Sequence, residues 1–186
     1  MPFSHRFMRI AAVCLSMLVV ASCATVPTET PYNLGVDAYK KKNYPEAAAQ
    51  WNKAVGQGDT AAMNNLAYLL YNGYGVDKDV ERAVNLWRVA SAAGESESQW
   101  HLGMAYETGV GTERNLAIAY AWYQCGIANA SRKSGNGGGD ADLEASILSD
   151  VTQSRDKLQA KLNAEELQKG QALAIDYIAR YGKRPP

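Results

Sequence analysis

Ser154 and Lys157 are the pair whose types and spacing come nearest to catalytic chemistry. On a predicted helix, residues three apart share a face, so a lysine amine could take the proton of the serine hydroxyl and make it a nucleophile. The Ser-x-x-Lys enzymes that react with β-lactams also carry Ser-Asp-Asn and Lys-Thr-Gly, and this chain has neither. Hydrolysis of a β-lactam through Ser154 therefore stays an alternative that no further motif supports.

Metal and cofactor chemistry has even fewer candidate residues. Beyond residue 22 the chain holds one histidine, His101, and two cysteines, Cys23 and Cys125. These residues have no metal-ligand spacing, and we expect Cys125 to be a small buried residue of a helix. The Gly-x-Gly segments at 73–75 and 109–111 lack the third glycine and the preceding strand of a dinucleotide site. We therefore expect no catalytic residue, metal or cofactor.

The first 22 residues have the organisation of a secretory signal. Arg6 and Arg9 precede the apolar run Ile10 to Ala21, and Val20-Ala21-Ser22 comes directly before Cys23. The run of 12 residues is too short to cross a bilayer, which needs about 20. A basic start, a short apolar middle and small residues at its end predict a signal peptide over residues 1–22.

The junction at Cys23 resembles the lipobox of bacterial lipoproteins; the alternative is an ordinary signal peptide with an incidental cysteine. The resemblance implies cleavage before Cys23, diacylglycerol on its sulfur and an acyl chain such as palmitate on its amino group. Residues 23–31 are polar and proline-rich, and would tether the fold to the membrane. Ala24 follows the cysteine, where aspartate commonly retains such proteins at the inner membrane. We therefore expect the protein to be anchored in the outer membrane and to face the periplasm. The alternative is the periplasmic face of the inner membrane.

The charge balance argues against nucleic acid as a partner. The chain has 19 basic and 19 acidic residues, and without residues 1–22, which hold Arg6 and Arg9, it has 17 against 19, net −2. Nucleic-acid binding needs a concentrated basic face, which this sequence lacks.

A repeat of 36 residues organises the rest of the chain. Leu66 recurs as Leu102, and Trp87 as the aromatic Tyr123. A fixed period in the thirties is typical of stacked helical hairpins. We place three repeats at 32–58, 60–94 and 96–130, the first with a turn four residues shorter.

Turn and cap residues support these hairpins. The glycines of the two Gly-x-Gly turns can adopt the positive φ of a chain reversal. Asp79 and Asn115 are good N-caps, and Asn43 with Glu46 predicts a capping box. We expect Trp87 to fill the volume between hairpins, with Tyr123 in the same role one repeat later.

These repeats resemble Sel1-like repeats, relatives of the tetratricopeptide repeat; SQWHLGMAYETGVG at 98–111 is the closest segment. The resemblance implies an all-α, right-handed α-solenoid of three hairpins with a C-terminal two-helix cap. After residue 130 we expect a glycine-rich loop at 131–140 and the cap at 141–181. Asn163 and Glu166 predict a second capping box within it.

In tetratricopeptide-like stacks the first helix of each hairpin lines a concave groove, and aromatic residues there often anchor partners. The common register predicts eight groove residues: Tyr32, Tyr39, Asn64, Tyr68, Tyr71, Trp100, Met104 and Glu107. We expect a non-enzymatic scaffold that binds a protein or peptide partner at the cell envelope. One alternative is a glycan ligand, either peptidoglycan or exopolysaccharide, because aromatic faces also stack on sugars. Another is an adaptor role in an export complex.

Overall fold

A computed structural model describes residues 29–135 and 141–182, and this part of the chain folds into eight α-helices with no strand. The predicted all-α class is therefore confirmed. The helices are α1 (Pro31–Lys40), α2 (Tyr44–Gly56), α3 (Thr60–Asn72), α4 (Val80–Ala92), α5 (Ser96–Thr108), α6 (Leu116–Gly135), α7 (Ala141–Gln159) and α8 (Ala164–Tyr181).

The helices stack in chain order as a solenoid. Helices α1 and α2, α3 and α4, and α5 and α6 form three hairpins, and neighbouring hairpins contact each other through α2 with α3 and α4 with α5. Each hairpin buries its apolar face against the next, which is how a repeat too small for its own core becomes stable. Helices α7 and α8 both pack against α6 and complete the stack.

The predicted turn and cap chemistry holds at most positions. All four turn glycines have positive φ, and Gly73 and Gly109 end α3 and α5 in the left-handed conformation. The Asp79 carboxylate accepts a hydrogen bond from the Arg82 N–H at 3.0 Å. The Asn163–Glu166 capping box is present in both directions. These local signals therefore set where the helices begin and end.

The capping box predicted at Asn43 and Glu46 is wrong in one half. The Asn43 side chain accepts from the Glu46 N–H at 3.4 Å, as expected. The Asn43 N–H, however, already donates to the Ala38 carbonyl at 2.9 Å, because the chain turns tightly between α1 and α2. The Glu46 carboxylate accepts from the Gln50 amide instead, at 2.6 Å.

Large aromatic residues fill the space between helices, as predicted. Trp87 and Tyr123 are 2% and 0% exposed, and Trp51 occupies the corresponding place in the first hairpin. Gly103 provides room for Tyr123, because a Cβ at Gly103 would lie 2.5 Å from the tyrosine ring. Cys125 is fully buried, and burial raises the pKa of its thiol to about 12.

The second glycine of each turn also joins one hairpin to the previous one. A Cβ at Gly111 would lie 2.6 Å from the Val80 carbonyl oxygen at the start of α4. A Cβ at Gly75 would meet Tyr44 and Pro45 at the start of α2 in the same way. The turn is therefore a stacking contact as well as a chain reversal.

Helix α6 is longer than the sequence indicated. We predicted a loop over 131–140, but residues 131–135 continue the helix to Gly135. Arg132 donates to the Asn129 carbonyl oxygen Oδ1 at 3.0 Å, and Lys133 pairs with Glu144 of α7 at 2.9 Å. These contacts hold the extra turn. Residues 136–140 lie outside the described part of the chain, as do residues 1–28 with Cys23.

Candidate docking groove

A pocket of about 620 Å³ opens between the first helices of the three hairpins. Its walls come from α1, α3 and α5, and Trp51 of α2 adds to one side. We call it the aromatic pocket; it is lined by Tyr32, Val36, Tyr39, Lys40, Trp51, Asn64, Asn65, Tyr68, Glu97, Trp100 and His101. A cavity of this size, largely apolar with a few polar groups, is typical of a binding site.

Five of the eight groove residues that we predicted line the aromatic pocket: Tyr32, Tyr39, Asn64, Tyr68 and Trp100. They come from all three hairpins, so the register of Leu34, Leu66 and Leu102 places one face of each first helix at a common concavity. Tyr71, Met104 and Glu107 do not line it.

Tyr71 lies on the same helix as Tyr68 but packs elsewhere. Its ring centroid is 5.2 Å from that of Trp87, and the Lys78 ammonium lies 6.0 Å from the ring. The second half of α3 approaches α4 and the Gly-x-Gly turn, so Tyr71 is part of the packing within its own hairpin.

Met104 and Glu107 are engaged by the C-terminal cap. Met104 packs against the core cluster that includes Tyr123 and Leu158 of α7. The Glu107 carboxylate accepts from the Tyr123 hydroxyl at 2.8 Å and pairs with Lys161 at 3.3 Å. Helix α7 and the turn between α7 and α8 therefore cover the second half of α5.

Contacts among the wall residues, and one contact to α7, hold the aromatic walls of the pocket in place. The Tyr39 ring lies 5.6 Å from that of Trp51, whose indole N–H donates to the Tyr32 carbonyl at 3.3 Å. The indole N–H of Trp100 donates to the Ser154 hydroxyl of α7 at 2.9 Å. A surface fixed before binding loses less conformational entropy when a ligand arrives.

A histidine lies between two tryptophans at the base of the pocket. The His101 ring stacks on Trp87 at 4.8 Å and on Trp100 at 5.3 Å between centroids. Burial lowers the pKa of His101 to about 4, so the ring is neutral at physiological pH. The sequence led us to expect His101 in the groove or at the surface rather than as a metal ligand, and it lines the pocket.

Asn64 connects this base to α5 through a small polar network. Its Oδ1 accepts from the Ser98 hydroxyl at 3.0 Å and lies 3.2 Å from His101 Nδ1, which therefore carries the proton. Its amide Nδ2 donates to Glu97 Oε2 at 2.8 Å. Because Asn64 is 3% exposed, these bonds satisfy polar atoms that burial would otherwise leave unpaired.

Glu97 is the pocket residue of greatest consequence that sequence analysis missed. The pKa of its carboxyl is raised to about 7, mainly by burial and to a smaller extent by repulsion from Glu95. The available signal was its spacing, because Glu97 precedes Trp100 by three residues and His101 by four, which places all three on one face of α5. Its counterpart one repeat earlier is Ala61, so the repeat pattern does not mark it.

Ser154 and Lys157 are each hydrogen-bonded to other groups of the structure. The Ser154 hydroxyl donates to the Asp150 carbonyl at 2.9 Å and accepts the Trp100 indole N–H. The Lys157 ammonium donates to Gln153 at 3.0 Å. Both groups bond to neighbours, and no hydrogen bond joins the Ser154 hydroxyl to the Lys157 ammonium.

Among residues 29–135 and 141–182, no three His, Cys, Asp or Glu side chains group as a metal site would require. None of the helices in the same ranges has both the length and the apolar character needed to cross a membrane.

The fold and pocket define a class: an α-solenoid of helical hairpins with a concave, aromatic-lined face. Residues 60–95 and 96–131 each match the family model of the Sel1 repeat. The first range contains the hairpin α3–α4, and the second contains α5 and α6 as far as residue 131. The chain therefore contains Sel1 repeats, as its sequence had indicated.

Known proteins are similar to part of this chain. Protein sel-1 homolog 2 of Mus musculus is 33% identical over 85 residues, which is 45% of this chain and 12% of that protein. DAP3-binding cell death enhancer 1 of Mus musculus is 46% identical over 78 residues, which is 42% of this chain and 15% of that protein. The chain thus spans only 12% to 15% of the length of these curated relatives.

A solved structure extends the similarity beyond the matched repeats. It is that of a protective antigen present in uropathogenic Escherichia coli strains, described as displaying an SLR fold. The TM-score is 0.66 at 30% identity, covering 81% of this chain and 30% of that one. This similarity supports the solenoid arrangement over most of the chain.

Proposed function

We propose that this protein is a non-enzymatic docking module that holds a segment of a protein partner in the aromatic pocket. The observation that carries the proposal is the pocket itself, about 620 Å³ and lined by aromatic residues from three successive hairpins. Aromatic anchors in pockets supply most of the affinity of protein interfaces. One relative, 46% identical over 78 residues, is named for binding another protein, DAP3.

Photo-crosslinking from Tyr68 tests the proposal in living cells. Tyr68 lines the pocket and is half-buried, whereas Glu81 on α4 is exposed and away from the pocket, which makes it the control position. We expect a discrete protein adduct from position 68 and none from position 81. A folded protein that gives no protein adduct from position 68 would contradict the docking function.

Alanine substitution measures the contribution of the walls. Truncating an aromatic hot spot costs about 2 kcal/mol or more, so Tyr68→Ala should weaken partner binding by roughly 30-fold. Tyr71→Ala is the matched control on the same helix, because Tyr71 does not line the pocket. Equal losses from both variants would show that folding, rather than the pocket, had been disturbed.

The proposal includes a lipid anchor at Cys23, which holds the module at the cell envelope. It rests on the sequence, in which Cys23 follows a short apolar run and Ala24 favours the outer membrane. Two or three acyl chains hold a protein durably where one does not, at about 0.8 kcal/mol per buried methylene. Cys23→Ala should move the protein out of the membrane fraction, and unchanged retention at the processed size would refute the anchor.

A glycan ligand is the second candidate, because the pocket combines aromatic faces with the side-chain amide of Asn65. It predicts retention on insoluble peptidoglycan or exopolysaccharide that protease treatment of the ligand leaves intact. Tyr68→Ala would reduce that retention as well, so the crosslinking result decides between the two occupants.

A further inference from the structure

Glu97 is the one acidic residue among those that line the aromatic pocket. Its Oε2 is held by the Asn64 amide at 2.8 Å, which fixes the carboxylate against α3. Its Oε1 has no hydrogen-bond partner among the described residues. This oxygen is also not fully buried, so it remains accessible to solvent. One oxygen of a positioned carboxylate is therefore available to a ligand.

Neighbouring charges increase the negative potential at Glu97. Burial is the main cause of the raised pKa of the Glu97 carboxyl, and repulsion from Glu95 and from Glu144 adds to it. Lys133 pairs with Glu144 at 2.9 Å, which leaves a surplus of negative charge among these groups. A cation close to Glu97 would relieve both the repulsion and the desolvation of the carboxylate.

No described residue forms an ion pair with Glu97. Lys40 lines the pocket from the end of α1, but it is exposed and forms no ion pair with any residue of the described ranges. His101 is neutral at physiological pH because burial lowers its pKa to about 4. Glu97 thus forms no ion pair among the described residues, and Lys40 is the one charged lysine of the pocket lining.

The aromatic residues around Glu97 favour the same kind of ligand. Tyr39, Tyr68 and Trp100 line the pocket together with it. Aromatic faces attract ammonium and guanidinium groups, most strongly where water is excluded. A buried carboxylate beside several aromatic rings therefore selects a cation carried on an apolar stem.

From this arrangement we infer that the aromatic pocket takes a basic side chain, lysine or arginine, from the docked partner segment, with its charged group at Glu97 and its stem between Tyr68 and Trp100. The inference rests on the proposed docking function and specifies the chemistry of the partner. An acidic or neutral side chain at the same place would leave Glu97 uncompensated.

A matched pair of small ligands tests the inference without knowledge of the partner. Nα-acetyl-arginine amide and Nα-acetyl-citrulline amide differ in replacing a charged guanidinium by a neutral urea of the same shape. Each is titrated into the full chain while the indole N–H signal of Trp100 is followed by NMR, assigned with Trp100→Phe. We expect a saturating shift with the arginine compound, with a roughly millimolar dissociation constant, and binding of the citrulline compound at least about tenfold weaker.

Substitution at Glu97 supplies the second arm. Glu97→Gln keeps an oxygen for the Asn64 amide and removes the charge, so it should weaken arginine binding about tenfold and make the two ligands equivalent. Glu81→Gln, an exposed change on α4, should leave both affinities unchanged. Lys40→Ala should leave arginine binding unchanged or strengthen it, because it removes a like charge from the rim.

The pH dependence provides an independent readout. Cation binding requires the ionised carboxylate, and with a pKa of about 7 the affinity should fall about tenfold from pH 8 to pH 6. Glu97→Gln should abolish that dependence. The charged or titratable groups around Glu97 are Lys40, Glu95, His101, Lys133 and Glu144, and they remain in this variant.

Equal affinity for the arginine and citrulline compounds, or no saturating shift with the arginine compound, would overturn the inference. The crosslink from Tyr68 is independent of this test. A protein adduct together with equal ligand affinities would preserve the docking function and refute the basic side chain alone. Retention on glycan without a protein adduct would refute both.

Discussion

Helices α5 and α6 are in close contact at Gly103. Because of this contact, we expect a substitution that helix propensity alone would make stabilising to be destabilising instead. Gly103 lies in the middle of α5, where alanine would ordinarily stabilise the helix by about 1 kcal/mol. A Cβ at this position, however, would lie 2.5 Å from two ring carbons of Tyr123 and 3.3 Å from the Ala119 carbonyl oxygen. We therefore expect Gly103→Ala to destabilise the protein.

The magnitude follows from how far the ring must move. Carbon atoms pack at about 3.5–4.0 Å, so the Tyr123 ring would have to retreat by about 1 Å. Tyr123 is fully buried, and its hydroxyl donates to Glu107 at 2.8 Å, which restrains that movement. Overpacking of this kind costs about 3 kcal/mol at the upper end of its range, so the net loss after the gain in propensity is about 2 kcal/mol.

Thermal and urea unfolding, followed by circular dichroism at 222 nm, measure the effect. For a chain of this length a loss of about 2 kcal/mol lowers Tm by about 4–8 °C. Gly56→Ala is the matched control, because Gly56 ends α2, is exposed and has nothing within 4 Å of an added Cβ. It should be neutral or stabilise by up to about 1 kcal/mol.

A double substitution tests the stated cause. If the clash with the ring is responsible, Gly103→Ala combined with Tyr123→Leu should cost less than the sum of the two single changes. Additive costs, or a Gly103→Ala protein as stable as the unaltered one, would refute the argument that Tyr123 requires glycine at this position.

Further predictions concern pH and the Ser154 hydroxyl. Glu97 has a folded pKa of about 7, above the ordinary 4.5, so its contribution to stability is lost as pH rises from 4.5 through 7. The stability of Glu97→Gln relative to the unaltered protein should therefore rise over that interval by up to about 3 kcal/mol in urea titrations, and a constant difference would contradict the raised pKa. His101 has a folded pKa of about 4, below 6.5, so its contribution is lost as pH falls from 6.5 towards 4, and His101→Gln should gain relative stability there. Ser154→Ala removes the acceptor of the Trp100 indole and should cost about 1 kcal/mol, with no change in turnover of a chromogenic β-lactam; turnover that this variant abolished would revive the hydrolase alternative.

Part of the pocket could be predicted because it depends on the register of the repeats. Tyr32, Asn64 and Trp100 occupy the same place in successive first helices, two residues before Leu34, Leu66 and Leu102, and similar hairpin geometry brings such places to one face. We did not predict Glu97 from the sequence. Its raised pKa results from burial and from repulsion by Glu95 and Glu144, which depend on the folded structure.

The sequence by itself determined the features that depend on a few neighbouring residues. Glycines at the turns, the N-cap at Asp79 and the capping box at Asn163 define helix ends through bonds that span three or four residues. The helical spacing of apolar positions, including Trp87, determined which faces become buried.

Only the tertiary structure decided which predicted groove residues stay accessible to a ligand. Met104 and Glu107 share the register of the pocket residues, but the C-terminal cap packs against them through contacts such as Lys161 with Glu107, 54 positions apart in the chain. Tyr71 packs against Trp87 because α3 approaches α4 at that end of the hairpin. Helix α6 extends to Gly135 because Lys133 forms an ion pair with Glu144 on the next helix. In each case a side chain meets a partner whose position depends on how whole helices stack, and local periodicity carries no information about that.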